Sequence, residues 1–257
     1  MKLAIISLSD EGARIANRLQ KGLADADIFL HEKVAASFGG RKFKSIITLT
    51  RMIFGQYNGL VYIAPCGVVV RALAKNIRNK RTDPGVVVVD VGGRFAVSLV
   101  GGHEGGANNL AIAVANIIGA EPVITTTTEA LKSVIVGIGC RRGVEVNAII
   151  AAVDKALLKA GVERDEVRLL ASADIKMGEK GLLEAASILG IPLTFIRSEE
   201  IRSSRRKFSR SDFVKEKVNL PAVAEPAALL AGRRTRLIFP KMTSGAVTVA
   251  LARESSS

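Results

Sequence analysis

The sequence has no tryptophan and only 4% aromatic residues. That argues against single-strand nucleic-acid binding, which leans on stacking platforms for the bases. It has two histidines, His31 and His103, and two cysteines, Cys66 and Cys140. A transition-metal site built from several His and Cys ligands is close to excluded, and the cysteines match neither a disulfide framework nor a zinc spacing. No protein metal site is expected, and each cysteine reads as a small buried apolar residue. Also missing is any run of about 18 apolar residues free of charge, and MKLAIISLSDEG lacks the basic start and small-residue cleavage site of a signal peptide. The expectation is a soluble, cytoplasmic protein without a membrane or nucleic-acid partner.

The 257 residues are 48% hydrophobic, enough for one large domain or two small ones with a real core. The net charge of +13 divides into +5 for residues 1–130 and +8 for residues 131–257. Such a surface favours an anionic partner, although Lys and Arg on solvated faces would give the same total. The densest basic run, RSSRRKFSRSD at residues 202–212, reads as a solvated loop or as an anion clamp.

Strand and helix patterns alternate along the chain. KLAIISLS is a strand closing on Asp10, and EGARIANRLQKGL carries apolar positions at helical spacing. IFLH is a short strand, and FKSIITLTRMIFGQY a helix with Ile46, Ile47, Leu49, Met52 and Ile53 inward. GLVYIAP is a buried strand and GVVVRALAKNI a helix. GVVVVDVGGRFAVSLVGG gives two strands in a hairpin about Gly92 and Gly93, followed by the helix ANNLAIAVANIIG and the strand PVITTTT. The second half repeats the alternation through SVIVGIG, VEVNAIIAAVDKALLKAG, VRLLASAD, EKGLLEAASILG and PLTFI. It closes with a helix at EPAALLAG and strands at RLIF and AVTVALA. The pattern calls for an α/β fold: two three-layer α/β/α domains with mostly parallel sheets, 1–130 and 131–257, parted at the polar TTTTEALKS.

Two glycine clusters sit where a strand meets a helix. In GGHEGGANNLA, residues 101–111, glycines admit positive φ and bring N–H groups close to a ligand. The helix N-terminus favours negative charge by about 0.3–1 kcal/mol. Gly102, Gly105, Gly106 and Asn108 thus form a candidate anion or oxyanion loop. His103 can act as acid or base with Glu104 orienting it, and a helix-capping histidine beside an exposed glutamate is the plain alternative. No GK[ST] ending is present, so nucleotide hydrolysis is not supported. The second cluster, VGIGCRRG at residues 136–143, reads as G-x-G-x-x-x-G, a variant dinucleotide fingerprint without its acidic residue about 20 positions on. Its Arg141 and Arg142 suit bidentate carboxylate recognition. Arg71, one turn into PCGVVVRALA, and Lys176, in SADIKMGEKGL, are further anion candidates or ordinary surface charges.

Taken together, FGQYNGLVYIAPCGVVVRALA, GRFAVSLVGGHEGGANNLA and PVITTT, with VGIGCRRGV, SADIKMGEKGLLEAA and KMTSGAVTVALAR, resemble the cobalamin-biosynthesis protein G family, the cobalt-precorrin-5A hydrolases. Two departures stand out. TTTTEALK runs directly into SVIVGIGC where many members carry a middle segment, and Asn219 and Pro221 stand in a turn expected to hold small residues or glycine. The resemblance implies opening of the ring-A δ-lactone of cobalt-precorrin-5A and release of the C20 fragment as acetaldehyde, giving cobalt-precorrin-5B. It implies no protein cofactor, because the cobalt is carried by the tetrapyrrole substrate, and leaves contact with other cobalamin-pathway enzymes and an oligomer open. Residue chemistry then suggests His103 with Glu104 as the catalytic pair, Gly105 and Gly106 N–H groups as oxyanion donors, and Arg71, Arg141, Arg142 and Lys176 on the substrate carboxylates. Asn108 is an available donor to the lactone. A non-catalytic corrinoid carrier is the runner-up, and an NADP-binding oxidoreductase rests on VGIGCRRG alone.

Overall fold

The computed structural model describes residues 1–209, 220 and 222–255, which divide into two compact units, Met1–Ala130 and Leu131–Ser257. Asn219, Pro221 and the end of the basic run beyond Ser209 lie outside the described residues.

In the first unit, β1 (Leu3–Ser7), β2 (Ala26–His31), β3 (Arg41–Phe43), β4 (Gly59–Ile63) and β5 (Gly85–Val89) are parallel, in the order β3-β2-β1-β4-β5. β1, β4 and β5 are buried along their whole length, as parallel strands covered on both faces must be. The chain then reverses in the predicted hairpin, where the Asp90 carboxylate accepts from the N–H groups of Gly92, Arg94 and Phe95. β6 (Phe95–Val100) therefore runs antiparallel to β5, with β7 (Glu121–Val123) parallel to β6. Helices α1 (Asp10–Gly22) and α4 (Ala107–Ile118) cover one face of the sheet, and α2 (Ile46–Ile53) and α3 (Cys66–Leu73) cover the other.

Three expectations change here. Cys66, read as a small buried residue, is exposed at the start of α3, and Cys140 is only half-buried. In α2, Leu49, Thr50 and Ile53 turn inward, whereas Ile47 and Met52 are each 56% exposed. The cause is the capping at Ser45, whose Oγ accepts from Thr48 N–H, and the buried pairing of the Thr50 hydroxyl with Tyr62 Oη at 2.9 Å. Together they put the 46/49/50/53 stripe against the sheet and leave 47 and 52 outside it. PVITTTT keeps only its beginning as strand, since Thr127–Ala130 coil into a single helical turn, α5.

The second unit has five strands in the order β10-β9-β8-β12-β11. β8 (Val134–Cys140), β9 (Val167–Ala173) and β10 (Leu193–Ile196) are parallel, and β11 (Thr235–Ser244) and β12 (Val247–Glu254) form an antiparallel hairpin whose second strand also pairs antiparallel with β8. The first sheet is thus mostly parallel, while the second holds parallel and antiparallel pairings in equal number. A tight turn at Gly245, φ +58°, forces that reversal. Helices α6 (Val146–Ala160) and α7 (Lys180–Leu189) cover one face, and α8 (Ser198–Ser203) and the helix Ala224–Leu230 the other.

Candidate functional site

Because β6 runs against β5, the loop at residues 101–106 lies at the edge where β1, β4 and β5 begin and where β6 ends. Open α/β sheets usually take ligands outside the carboxyl ends of their parallel strands, so this loop, at the amino ends of β1, β4 and β5, lies at the other edge of the sheet. The loop closes on its own backbone: Ala107 N–H donates to Gly101 O at 3.1 Å and Asn108 N–H to Gly102 O at 2.9 Å. Gly106, φ +76°, occupies the N-cap position of α4 without a side-chain cap. Two of the N–H groups that a helix start leaves free are therefore satisfied inside the loop, and Gly106 N–H leans on His103 O at 3.4 Å.

His103 and Glu104 are exposed at the tip of this loop. Glu104 Oε1 lies 2.9 Å from Lys80 Nζ. The hydrogen bond from Lys80 holds the Glu104 carboxyl below the usual carboxylate range, with a smaller contribution from His103. Glu104 thus pairs with Lys80 in this structure, and the His103 ring has no hydrogen-bond partner among the described residues. Lys80 is the partner of Glu104 that sequence reading missed; its only signal was the basic cluster RNKR after α3.

Asn108 is 5% exposed and fully engaged in bridging. Ser98 Oγ donates to its Oδ1 at 2.8 Å, and its Nδ2 donates to Thr126 Oγ1 at 2.9 Å. It therefore ties β6, the start of α4 and the segment after β7 together. Gly102 rests on this bridge, and a Cβ there would come within 2.8 Å of Thr126 Cγ2 and 3.1 Å of Asn108 Oδ1. Arg71 stands apart. α3 begins at the opposite end of β4, past Pro65, and Arg71 Nη1 donates to Gly67 O at 3.3 Å within its own helix.

In the second unit, Arg141 and Arg142 are exposed just past the carboxyl end of β8. Their loop is fixed at both ends, by Arg141 N–H to Ala246 O at 2.9 Å and by Gly143 N–H to the buried carboxylate of Glu179 at 2.8 Å. Lys176 belongs to the same cluster: burial raises the Cys140 thiol above its usual range, and Lys176 opposes that rise while Glu179 adds to it. The two arginines and Lys176 accordingly gather at the carboxyl ends of β8 and β9. Beside them, Asp174 accepts from the Ser198 N–H and hydroxyl. These bonds outweigh the effect of burial and hold its carboxyl low.

The glycines of the fingerprint-like stretch have a packing role. A Cβ on Gly137 would land on the Ala224 carbonyl oxygen, and one on Gly139 would press on Val223. They let the helix Ala224–Leu230 cross close over β8, which removes the reason for reading them as a pyrophosphate cradle. Among the described residues, no group of three or more His, Cys, Asp or Glu side chains is placed to hold a metal ion, and no helix is long and apolar enough to cross a membrane.

Residues 48–129 match the family described as Cobalamin synthesis G N-terminal, and residues 134–252 match Cobalamin synthesis G C-terminus. A cobalt-precorrin-5A hydrolase of Priestia megaterium is 24% identical over 356 aligned positions, covering 97% of this chain and 94% of the relative. That of Salmonella typhimurium is 24% identical over 345 positions, covering 97% of each. Both alignments are longer than the 257-residue chain, so these relatives carry inserted residues with no counterpart here. Protein CobE of a Sinorhizobium species is 34% identical over 128 residues, covering 49% of this chain and 83% of that protein.

Proposed function

This chain belongs to the cobalamin synthesis G family, and from that premise we propose that it hydrolyses cobalt-precorrin-5A to cobalt-precorrin-5B with release of acetaldehyde. The observation that carries this reading is the end-to-end match to two relatives bearing the hydrolase name, 97% of this chain against 94% and 97% of theirs. The cobalt belongs to the substrate, and the chain's task is to bind the ring and activate water.

His103 takes a proton from the water that attacks the lactone carbonyl, a role worth about 10² to 10⁴-fold in rate. The exposed tip position and unpartnered ring of His103 support that assignment. Water adds at the carbonyl carbon, the lactone oxygen leaves as an alcohol on C20, and the ring retains a carboxylate. Scission of the bond from C20 to the ring leaves the electron pair on the ring and converts the alcohol into the aldehyde carbonyl as its proton departs. Gly105 N–H is the oxyanion donor, since Gly106 N–H already faces His103 O. Glu104 takes part with Lys80, whose ammonium, 2.9 Å from Glu104 Oε1, serves as the counter-charge for the new carboxylate. Arg141, Arg142 and Lys176 hold peripheral carboxylates in the second unit, and Arg71 does so in the first.

The test is anaerobic incubation of the purified chain with cobalt-precorrin-5A, trapping acetaldehyde and weighing the tetrapyrrole product. Enzyme-dependent acetaldehyde with a correspondingly lighter ring is expected, and its loss by at least about a hundredfold in a folded His103→Ala chain. Binding without acetaldehyde would favour the second reading, a corrinoid carrier. That reading is kept because protein CobE, whose name carries no hydrolase activity, matches 49% of this chain over 83% of its own length.

A further inference from the structure

Between Glu32 and Asp83 the chain carries ten Lys and Arg and no Asp or Glu, so this stretch supplies +10 of the net +13. The rest of residues 1–130 is net negative. The stretch contains α2 and α3, which pack side by side on the same face of the first sheet. Four apolar residues point away from that face: Ile47 at 56% exposed, Met52 at 56%, Val70 at 50% and Ile77 at 46%. One or two such residues would be ordinary; four within this segment, among Arg51, Arg71, Lys75 and Arg78, put exposed apolar side chains in a field of one sign, and this set is called the apolar strip below.

Those cations are not neutralised locally. Among the described residues, none of the four forms an ion pair, and Arg71 reaches only its own helix backbone. The face is also continuous with the His103 loop. α3 runs from the carboxyl end of β4 back toward its amino end, and the segment that follows delivers Lys80 to Glu104.

We propose that the α2–α3 face of the first unit is a docking platform for the polycarboxylate tetrapyrrole, with the apolar strip against the ring and the surrounding cations on its acetate and propionate groups. The proposal rests on the hydrolase reading of the chain. It gives Arg71 a role at a distance from His103 and gives the exposed Ile47 and Met52 something to cover them. A flat apolar ring fringed by carboxylates complements an acid-free face with an apolar centre, and Lys80 stands where the fringe meets the catalytic loop.

The probe is uroporphyrin I, an octacarboxylate porphyrin, titrated by fluorescence against the full chain at low and high salt. Binding that weakens with salt is expected, with at least a tenfold loss in Arg51→Glu/Lys75→Glu. A loss that persists at high salt is expected in Met52→Asp/Val70→Asp, because salt screens charges and leaves apolar contact intact. Arg14→Glu/Lys21→Glu on α1, across the sheet, removes the same charge and should leave affinity within twofold. Circular dichroism checks that each variant is folded. No binding by the unaltered chain, or equal losses from the two charge-reversal pairs, overturns the platform. Turnover of cobalt-precorrin-5A separates the two readings. Acetaldehyde release with an unchanged KM in the α2–α3 variants refutes the platform and keeps the hydrolase. Porphyrin binding lost in those variants, with no acetaldehyde from the unaltered chain, refutes the hydrolase and keeps the platform.

Discussion

Replacing Asn108 by Ala removes the bridge from Ser98 to Thr126 and takes away the support under Gly102. Each neutral hydrogen bond contributes about 0.5–1.5 kcal/mol net, and a buried polar group left unpaired costs about 1–3 kcal/mol. The Ser98 and Thr126 residues are only half-buried, so water can compensate part of the loss. A destabilisation of about 2 kcal/mol is the expected sum. In a unit of this size that lowers Tm by about 8 °C, readable by calorimetry or circular dichroism. Turnover should fall with it, mainly in kcat, because the loop presenting His103 is no longer held in one geometry. Asn108→Asp decides why. It keeps the shape and two acceptor oxygens, so both hydroxyls can rotate to donate to it, but it cannot donate to a substrate. Recovery of most of the activity in Asn108→Asp fits a residue that positions the loop. Activity as low as in Asn108→Ala, with stability restored, would mean that the amide touches the substrate. An Asn108→Ala chain within about 0.5 kcal/mol of the unaltered protein and equally active would refute the reasoning altogether.

Lys80→Met frees the Glu104 carboxyl to titrate nearer its ordinary range. If ionised Glu104 is required, the acidic limb of the pH–rate profile moves to higher pH; thermal stability should not change, because the pair is exposed. An acidic limb that stays in place while Glu104→Gln is inactive would break that link. Glu179→Ala removes the acceptor of Gly143 N–H and should raise KM about tenfold by loosening the arginine loop, whereas Glu179→Gln keeps an acceptor oxygen and should stay near the unaltered value. Equal KM values for the two variants would show that the loop needs no such anchor. Gly137→Ala sets a methyl against the Ala224 carbonyl and should destabilise the second unit by about 1–3 kcal/mol or more, seen as a lower denaturation midpoint. An unchanged midpoint would mean that the helix Ala224–Leu230 can shift without cost.

What the sequence made legible is what depends on near neighbours. The buried runs GLVYI and GVVVV announce strands covered on both faces, the turn about Gly92 and Gly93 announces a reversal, and the glycines of 101–106 announce a backbone loop ahead of a helix. What stayed hidden depends on which strands become neighbours. Lys80 and Glu104 meet because β6 lies antiparallel to β5 and returns its end to the edge where the chain after α3 arrives. Asn108 meets Thr126 because α4 carries the chain over to β7, which lies parallel to β6. A strongly apolar helix such as α2 is read too generously by periodicity, since Ile46, Ile47, Leu49, Met52 and Ile53 are wider than one buried stripe. It took the polar contact between Thr50 and Tyr62 to choose the inward face. The same choice left Ile47 and Met52 on the outside with Arg51, so that part of a hydrophobic pattern read as core is exposed in a cationic segment. Spacing alone could not separate the two roles, because it records which residues share a helix face and not which face the sheet will cover.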